Sequence, residues 1–430
     1  MPLPASDVAH LLRRVGFGGL PAEIRALTSL TWPQAVEAVL DTSGAPPLDQ
    51  NPPNLDPNRG SWDRYVDMVW YWLERCRTSP APIVEKMVLF WHGYLCTSLD
   101  KVGNHRMLFE QNQLFRVHGM GDIETLLQLV AVQPAMLEYL DNDVNVAGSP
   151  NENFARELME LFTLGVGHYT EDDVRASARA WTGHGVDRDS GQYVFRPEEH
   201  DNGSKTFMGV TRNWNGPEII SHLIDGPTRS QASRFIATKL WSFLAYPDPE
   251  PAVVDSIGSS FRSAGMDITA LIRAILLHPQ FRSDKAKTGL VRSPVEYVVA
   301  AMRHTGLPCS VAHPEWTLEA MGQQPFYPPN VSGWRPNGYW ITASALWAKS
   351  QFASRMRWRG IEADNLLGSE GRSVSEAVHA ALVMHGIDRP SPSTVSALEN
   401  FVEEERASSR WAERAGLLFL PLLTPEFQLA

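Results

Sequence analysis

Apolar residues recur at steps of three and four along most of the chain, the spacing that puts them on one face of a helix. Trp62–Cys76 carries Val66, Val69, Trp70 and Leu73 at this spacing, and Pro82–Tyr94 carries Ile83, Met87, Phe90 and Trp91. The second pattern places Glu85 and Lys86 on the face expected to meet water. Ser6 and Asp7 open a short helix over Val8–Val15 that ends at Gly16, and Pro21–Thr28 and Pro33–Leu40 each start on a proline. The period continues through Asn104–Val117, Asp122–Val132 and Pro134–Leu140. It returns in Pro217–Asp225, Arg229–Leu244, Ala252–Ser263, Ile268–Leu277, Pro294–Arg303, Ala343–Arg357, Val374–Met384, Ser393–Arg406 and Ala412–Phe419. Thr170 with Asp173 forms a capping pattern for a helix over Thr170–Trp181.

Alternation of period two is scarce. Tyr193–Phe195 and Thr206–Met208 are the one convincing strand pair, expected to form a hairpin joined by RPEEHDNGSK and closed by Gly209. Gly44–Gly60 holds five prolines in a polar stretch and reads as a surface strap, and Gly322–Trp340 is a long loop of Pro, Gly and aromatics. The expected fold is mostly α, a multi-helix globular fold with one small β-hairpin insertion. It reads as one large helical domain over 1–430, with 343–430 as a softer helical part. No internal repeat is evident.

Composition narrows the class. A net charge of −11 argues against a nucleic-acid binder, because neutralising phosphates needs a basic surface. No run approaches the roughly 20 apolar residues of a membrane span, and the N-terminus lacks a leader-like apolar core. Cys76, Cys96 and Cys309 are scattered with no CxxC spacing, which disfavours a thiolate zinc site and fits a reducing compartment. The expectation is a soluble, cytoplasmic protein acting on a small-molecule or peptide substrate, with a partner protein compatible, and with neither nucleic acid nor membrane as partner.

The densest chemistry lies in Asn151–Gly165, NENFARELMELFTLG. Phe154, Leu158, Leu161 and Phe162 make one apolar face of a helix that Gly165 ends, while Asn153, Arg156, Glu157 and Glu160 fall on a neighbouring stripe. Carboxylates three residues apart on a helix can share a cation or split acid and base roles; the plainer reading is an ion-pair network with Arg156 and Arg179. His200 and Asp201 follow two glutamates in the hairpin loop and are metal-ligand types, although Asp201 is as readily a turn cap. His92 closes a helix, where a lone His is more often a satisfied core residue than a ligand. The DNDVN stretch at Asp141–Asn145 opens like a calcium loop but has Val146 at the sixth position, so a turn network is the better reading. GFGG at Gly16–Gly19 follows no strand and is no phosphate loop, and Arg13 and Arg14 read most simply as a solvated helix end. Tryptophans such as Trp181, Trp214 and Trp241 read as core. Trp334 and Trp340, with Tyr327 and Tyr339, are loop aromatics able to stack on a ligand.

Seven stretches together carry a family resemblance: HLLRRVGFG (His10–Gly18), FWHGYLCTS (Phe90–Ser98), PAMLEYLDN (Pro134–Asn142), PNENFARELMELFTLGVGHYTEDDV (Pro150–Val174), ARAWTG (Ala178–Gly183), HDNGSKTFMG (His200–Gly209) and GQQPFYPPNVSGW (Gly322–Trp334). The chain resembles a large bacterial family of unknown function, domain of unknown function 1800. The resemblance covers nearly the whole chain and implies a mostly helical fold, and it brings no established chemistry. Many relatives read ELHTLGV where this chain has Phe162, so a ligand histidine at that position in relatives would be missing here.

Three functional expectations follow. The first is a metal-dependent enzyme, an oxidoreductase or hydrolase, in which a divalent metal ion is held by His92, Glu157, Glu160, His200 and Asp201, with Glu157, Glu160 and Arg156 as catalytic groups. The second is a metal-free binding or assembly protein in which the same residues form a buried ion-pair and cap network. The third is a carbohydrate-active enzyme using paired carboxylates, which needs two carboxyls facing each other across a cleft.

Overall fold

The structure is a computed structural model describing residues 2–359 and 372–430. Helices form where the apolar period predicts them, among them Ser61–Thr78, Pro82–Tyr94, His105–His118, Arg229–Leu244 and Pro251–Ser263. The starts of Ile123–Ala131, Ile268–Leu277 and Glu171–Ala180 are fixed by side-chain caps. Asp122 accepts from the Thr125 amide at 2.7 Å, Asp267 from the Ala270 amide at 2.7 Å, and Thr170 and Asp173 close the reciprocal box read from the sequence. Each such cap contributes about 1 kcal/mol. The short helices Leu99–Val102, Asp284–Thr288, Cys309–Ala312 and Pro314–Ala320 are additions that the sequence period is too brief to reveal.

The residues gather into two compact units, each drawing on segments far apart in sequence. The first takes Met1–Lys86, Pro279–Pro325 and Arg335–Ala430; the second takes Met87–His278 and Phe326–Trp334. The first unit is built around Pro294–Thr305, which is buried at nearly every position, together with Ser61–Thr78 and the C-terminal helices. Those helices are Ala343–Arg359, Val374–Met384, Pro392–Ser408 and Arg410–Phe419; residues 360–371 of the stretch read as softer lie outside the described residues. The Pro-rich strap of this unit is held by its carbonyls: Arg75 donates to Pro46 O and Pro47 O, and the Tyr71 hydroxyl to Leu48 O.

In the second unit, Trp91, Trp181, Trp214 and Trp241 are wholly buried, as core tryptophans. Two antiparallel pairs replace the single expected hairpin. β1 (His184–Val186) pairs with β2 (Tyr193–Phe195), and β3 (Lys205–Phe207) with β4 (Val210–Arg212). Tyr193–Phe195 and Thr206–Phe207 are thus strands as expected, but not each other's partners. The reason is local turn chemistry. Met208 and Gly209 both take positive φ (48° and 79°), which makes the two-residue turn that suits a twisted hairpin. The Asp173 carboxylate then accepts the Met208 amide at 2.7 Å and ties this hairpin to the helix Glu171–Ala180.

The period misplaced two pairs of charged side chains in the first unit. Glu85 and Lys86 are each only 1% exposed rather than on a wet face. Arg75 Nε donates to Glu85 at 2.9 Å, and Lys86 Nζ donates to Glu296. Arg14 is likewise 1% exposed and not a solvated helix end, while Arg13 pairs with Asp388 at 2.7 Å. An amphipathic pattern reports one buried face. It is silent when a second element covers the other face and brings its own counter-charge. Among the described residues no helix is long and apolar enough to cross a membrane.

Candidate functional site

The Asn151–Gly165 stretch lies in the second unit and is a helix of two kinds. Asn153–Glu157 is α-helical, and Leu158–Thr163 widens into a π-helix. The Thr163 hydroxyl donates to Leu158 O at 2.6 Å and the Leu164 amide to Met159 O at 2.9 Å, both five residues back. Gly165 then leaves at φ +85°, where a Cβ would stand 2.9 Å from the Phe235 ring. Such π-turns inside helices recur at functional sites. Phe154, Leu158, Met159 and Phe162 are buried, with Leu161 only partly so, and Phe154 meets the Trp181 ring edge-on at 5.1 Å.

The helix start is set by a buried amide network. Asn145 is 1% exposed; its side chain donates to Asn142 Oδ1 and Ala178 O and accepts the Asn151 amide, and Asn151 in turn accepts the Asn153 amide at 2.9 Å. The DNDVN stretch is therefore the turn network expected of it, with Asp141 paired to Lys101 at 2.7 Å.

Along the polar stripe, the charged groups have different surroundings. Arg156 forms two parallel hydrogen bonds with Glu171, both 2.8 Å, and a third with Glu152 at 3.0 Å. The Glu171 carboxylate pushes its proton affinity up, and its fork is committed to these surface partners. Glu160 accepts the Tyr169 hydroxyl at 2.7 Å. Glu157 is partly buried and accepts no hydrogen bond among the described residues. Burial raises its proton affinity, the Glu160 charge raises it further, and Arg156 only partly opposes the rise.

The expected ligands do not gather around this pair. His92 is buried, and its Nε2 accepts the Phe326 amide at 2.9 Å. That bond uses the lone pair a metal would need and puts the proton on Nδ1; burial lowers the imidazole to about 3, so it is neutral. His92 also meets Trp334 at 5.5 Å, so it anchors the segment Phe326–Trp334 to the helix Pro82–Tyr94. His200 has Nδ1 at 2.8 Å from Thr182 O; a carbonyl only accepts, so that nitrogen carries the proton. Asp201 is gripped through both oxygens by Arg179 (2.6 and 3.2 Å) and also accepts the Gly203 amide at 2.7 Å. No three His, Cys, Asp or Glu side chains among the described residues are placed to share an ion. The donor set His92, Glu157, Glu160, His200 and Asp201 therefore does not fit one metal centre, because His92 and Asp201 have their lone pairs engaged elsewhere.

Asp201 instead makes a measurable structural contribution. The Arg179 hydrogen bond holds its carboxyl below the usual range against the opposing effect of burial, and the Gly203 amide helps. A lowered folded pKa adds stability that is present above the ordinary carboxylate value and is lost as pH falls through the folded one. Arg179→Met is expected to destabilise the protein by roughly 1 kcal/mol at pH 7, since both side chains of the pair are only partly buried and solvent screens their attraction. Its stability curve should converge with wild type in acid, as read by urea titration at several pH values. A constant gap down to pH 2 would contradict this role.

Two groups that the sequence did not single out border the carboxylates. The Glu157 charge is felt at Cys96 and at Tyr139; burial pushes the Cys96 thiol and the Tyr139 phenol each up to about 12. The Cys96 thiol donates to Asn330 O (3.3 Å) and Val331 O (3.1 Å), while the Tyr139 hydroxyl makes no hydrogen bond among the described residues. Both lie in stretches that carry the resemblance, but a Cys after an aromatic helix and a Tyr near a helix end have no spacing that advertises chemistry. Of the loop aromatics, Tyr327 and Trp334 belong to the second unit, whereas Trp340 is buried in the first and Tyr339 is 59% exposed there.

Compared with known proteins, the chain matches the family model described as protein of unknown function (DUF1800) over residues 10–429. No curated protein and no solved structure matches it.

Proposed function

Since the chain belongs to the DUF1800 family, whose description assigns no activity, we propose from the site alone that it is an enzyme using Glu157 as a general acid–base group. One observation carries this: Glu157 is the carboxyl on the polar stripe that accepts no hydrogen bond among the described residues, while Glu160 and Arg156 are engaged. A carboxyl whose proton affinity is raised by burial and a charged neighbour is better suited to give and take a proton than an ordinary one. Glu160, oriented by Tyr169, adds to the effect of burial in raising the proton affinity of Glu157. The free Tyr139 hydroxyl is a donor for a substrate oxygen. The substrate class this supports is a small polar molecule or peptide undergoing proton transfer. No step is derived through a metal ion, given the engaged lone pairs of His92 and Asp201. A reducing, cytoplasmic setting belongs to the same proposal and is supported by three buried free thiols.

Glu157→Gln tests it. Because the folded carboxyl holds its proton more tightly than the unfolded one, Glu157 removes stability as pH rises from the ordinary carboxylate value to the raised one. The neutral amide escapes that loss, so the variant should be at least as stable as wild type at pH 7. Any turnover found by screening wild type on hydrolase and isomerase substrates should fall about 100-fold or more in the variant. Carbon-13 detected titration of the glutamate carboxyls should show Glu157 above its ordinary value. A normal titration, or a variant that loses stability like a broken ion pair, would overturn the proposal and favour a structural network instead.

A further inference from the structure

The Pro-rich strap of the first unit passes over the helix Ser61–Thr78 and leaves between them a cavity of about 730 Å³, a size that suits a small ligand. Both ends of the arch are fixed. At one end Arg75 and the Tyr71 hydroxyl hold the carbonyls of Pro46, Pro47 and Leu48. At the other, Arg59 donates to Asn54 O at 2.8 Å and to the Asp67 carboxylate on the helix. Gln50 and Asn51 lie between these anchors and line the cavity. Their side chains are exposed and form no hydrogen bond among the described residues, and Asn51 holds a left-handed backbone at φ 52°. The fold thus builds the cavity and leaves two amides in its wall unengaged.

The walls fix the chemistry of an occupant. Their charges are already matched within the protein: Asp67 by Arg59, Glu74 by Arg77 at 2.7 Å, and Arg75 by Glu85 at 2.9 Å. Glu74 also accepts the Cys309 amide at 2.5 Å. A charged ligand would give up hydration here and find no free counter-charge in return. The helix side is aromatic. Trp70 is partly exposed, and its indole N–H donates to Glu315 at 2.8 Å, which fixes the plane of the ring. Tyr71 and Pro80 continue that surface, and Pro52 and Pro53 face the cavity from the strap. Each unengaged amide can both give and accept a hydrogen bond. The cavity therefore suits a neutral ligand with a flat apolar face and groups that donate as well as accept.

We propose that the cavity between the strap and the helix Ser61–Thr78 binds a neutral oligosaccharide. A sugar ring sets the weakly positive C–H bonds of its flat face against the negative face of the Trp70 indole, while its hydroxyls exchange hydrogen bonds with Gln50 and Asn51. A proline-rich peptide also docks in aromatic grooves, but its prolines carry no N–H, so it would meet the amide donors and leave the amide oxygens to water. The strap is then a wall of a binding site and more than a connection. The site is independent of Glu157, which lies in the other compact unit.

The test titrates the full chain in a calorimeter with cellotetraose, maltotetraose, xylotetraose and chitotetraose, and with decaproline as the peptide arm. The expected result is saturable binding of at least one of these sugars and none of decaproline. The affinity should change by less than about twofold between low and high salt, because no charge is neutralised on binding. Gln50→Ala combined with Asn51→Gly removes both amides, and glycine keeps the left-handed angle. Both positions are exposed, so this double variant should melt like wild type and bind the sugar about tenfold more weakly or worse. Glu157→Gln should bind it as wild type does, so the two proposals stand or fall separately. Four results overturn this one: no saturable binding of any of the sugars, binding of decaproline alone, an affinity that falls steeply with salt, or sugar binding that survives unchanged in the double variant.

Discussion

Glu296→Gln is expected to lower the unfolding free energy by about 3–5 kcal/mol, the cost of breaking a buried ion pair from one side. Glu296 accepts from Lys86 and is the carboxylate felt by Arg14 and Arg292. Its side chain also closes the capping box with Ser293, at 2.8 Å from the Ser293 amide, and a glutamine keeps that bond. The loss therefore isolates charge from capping. Lys86→Met added to Glu296→Gln should recover part of the stability, because an apolar side chain of similar length needs no counter-ion. Urea unfolding followed by tryptophan fluorescence measures both. A loss below about 1 kcal/mol in the single variant, the scale of one ordinary hydrogen bond, would mean that the carboxylate does not hold this cluster together.

Gly333→Ala is expected to cost about 2–4 kcal/mol, from overpacking plus a left-handed backbone angle in a residue with a Cβ. Gly333 has φ +72°, and a Cβ there would stand 2.1 Å from the Gly93 carbonyl oxygen, a backbone atom that cannot rotate away. The consequence is specific. Phe326–Trp334 is held to the second unit by the Phe326 amide on His92, by the Phe326 carbonyl on the Leu99 amide at 2.8 Å, and by the Cys96 thiol on Asn330 and Val331. Displacing the segment should expose Cys96, so a thiol reagent should label it much faster than in wild type, with Cys76 and Cys309 of the first unit unchanged. Gly93→Ala is the control of opposite sign: its Cβ meets nothing within 4 Å, and alanine is the better helix former by about 0.5–1 kcal/mol. Equal stability of Gly333→Ala and wild type would show that the segment does not need this close approach.

The two variants mark where sequence reading succeeds and where it stops. The helix Pro82–Tyr94 was legible because Ile83, Met87, Phe90 and Trp91 repeat every three or four residues. The destination of Glu85 and Lys86 was not, because Arg75 comes from an earlier helix and Glu296 from one more than two hundred residues later. The carboxylate stripe was legible as a place, since Glu157 and Glu160 share a helix with a clear apolar face. Its proposed companions His92 and Asp201 were not excluded by any spacing; only the Phe326 amide and the Arg179 fork, placed by folding, occupy them. Likewise Arg14 looked like a solvated residue because nothing in its neighbourhood of the chain announces the Ala286 carbonyl that its guanidinium meets.

The sequence by itself determined the helical class, most helix boundaries, the Thr170–Asp173 cap and the family, because each depends on residues within a turn or two of one another. Tertiary structure alone decided which charges are buried, which strands pair, where the helix at Leu158 widens and which lone pairs remain open. Local propensity acts through covalent neighbours. Desolvation, ion pairing and hydrogen-bond saturation act through space, and the chain meets those partners only when it is folded.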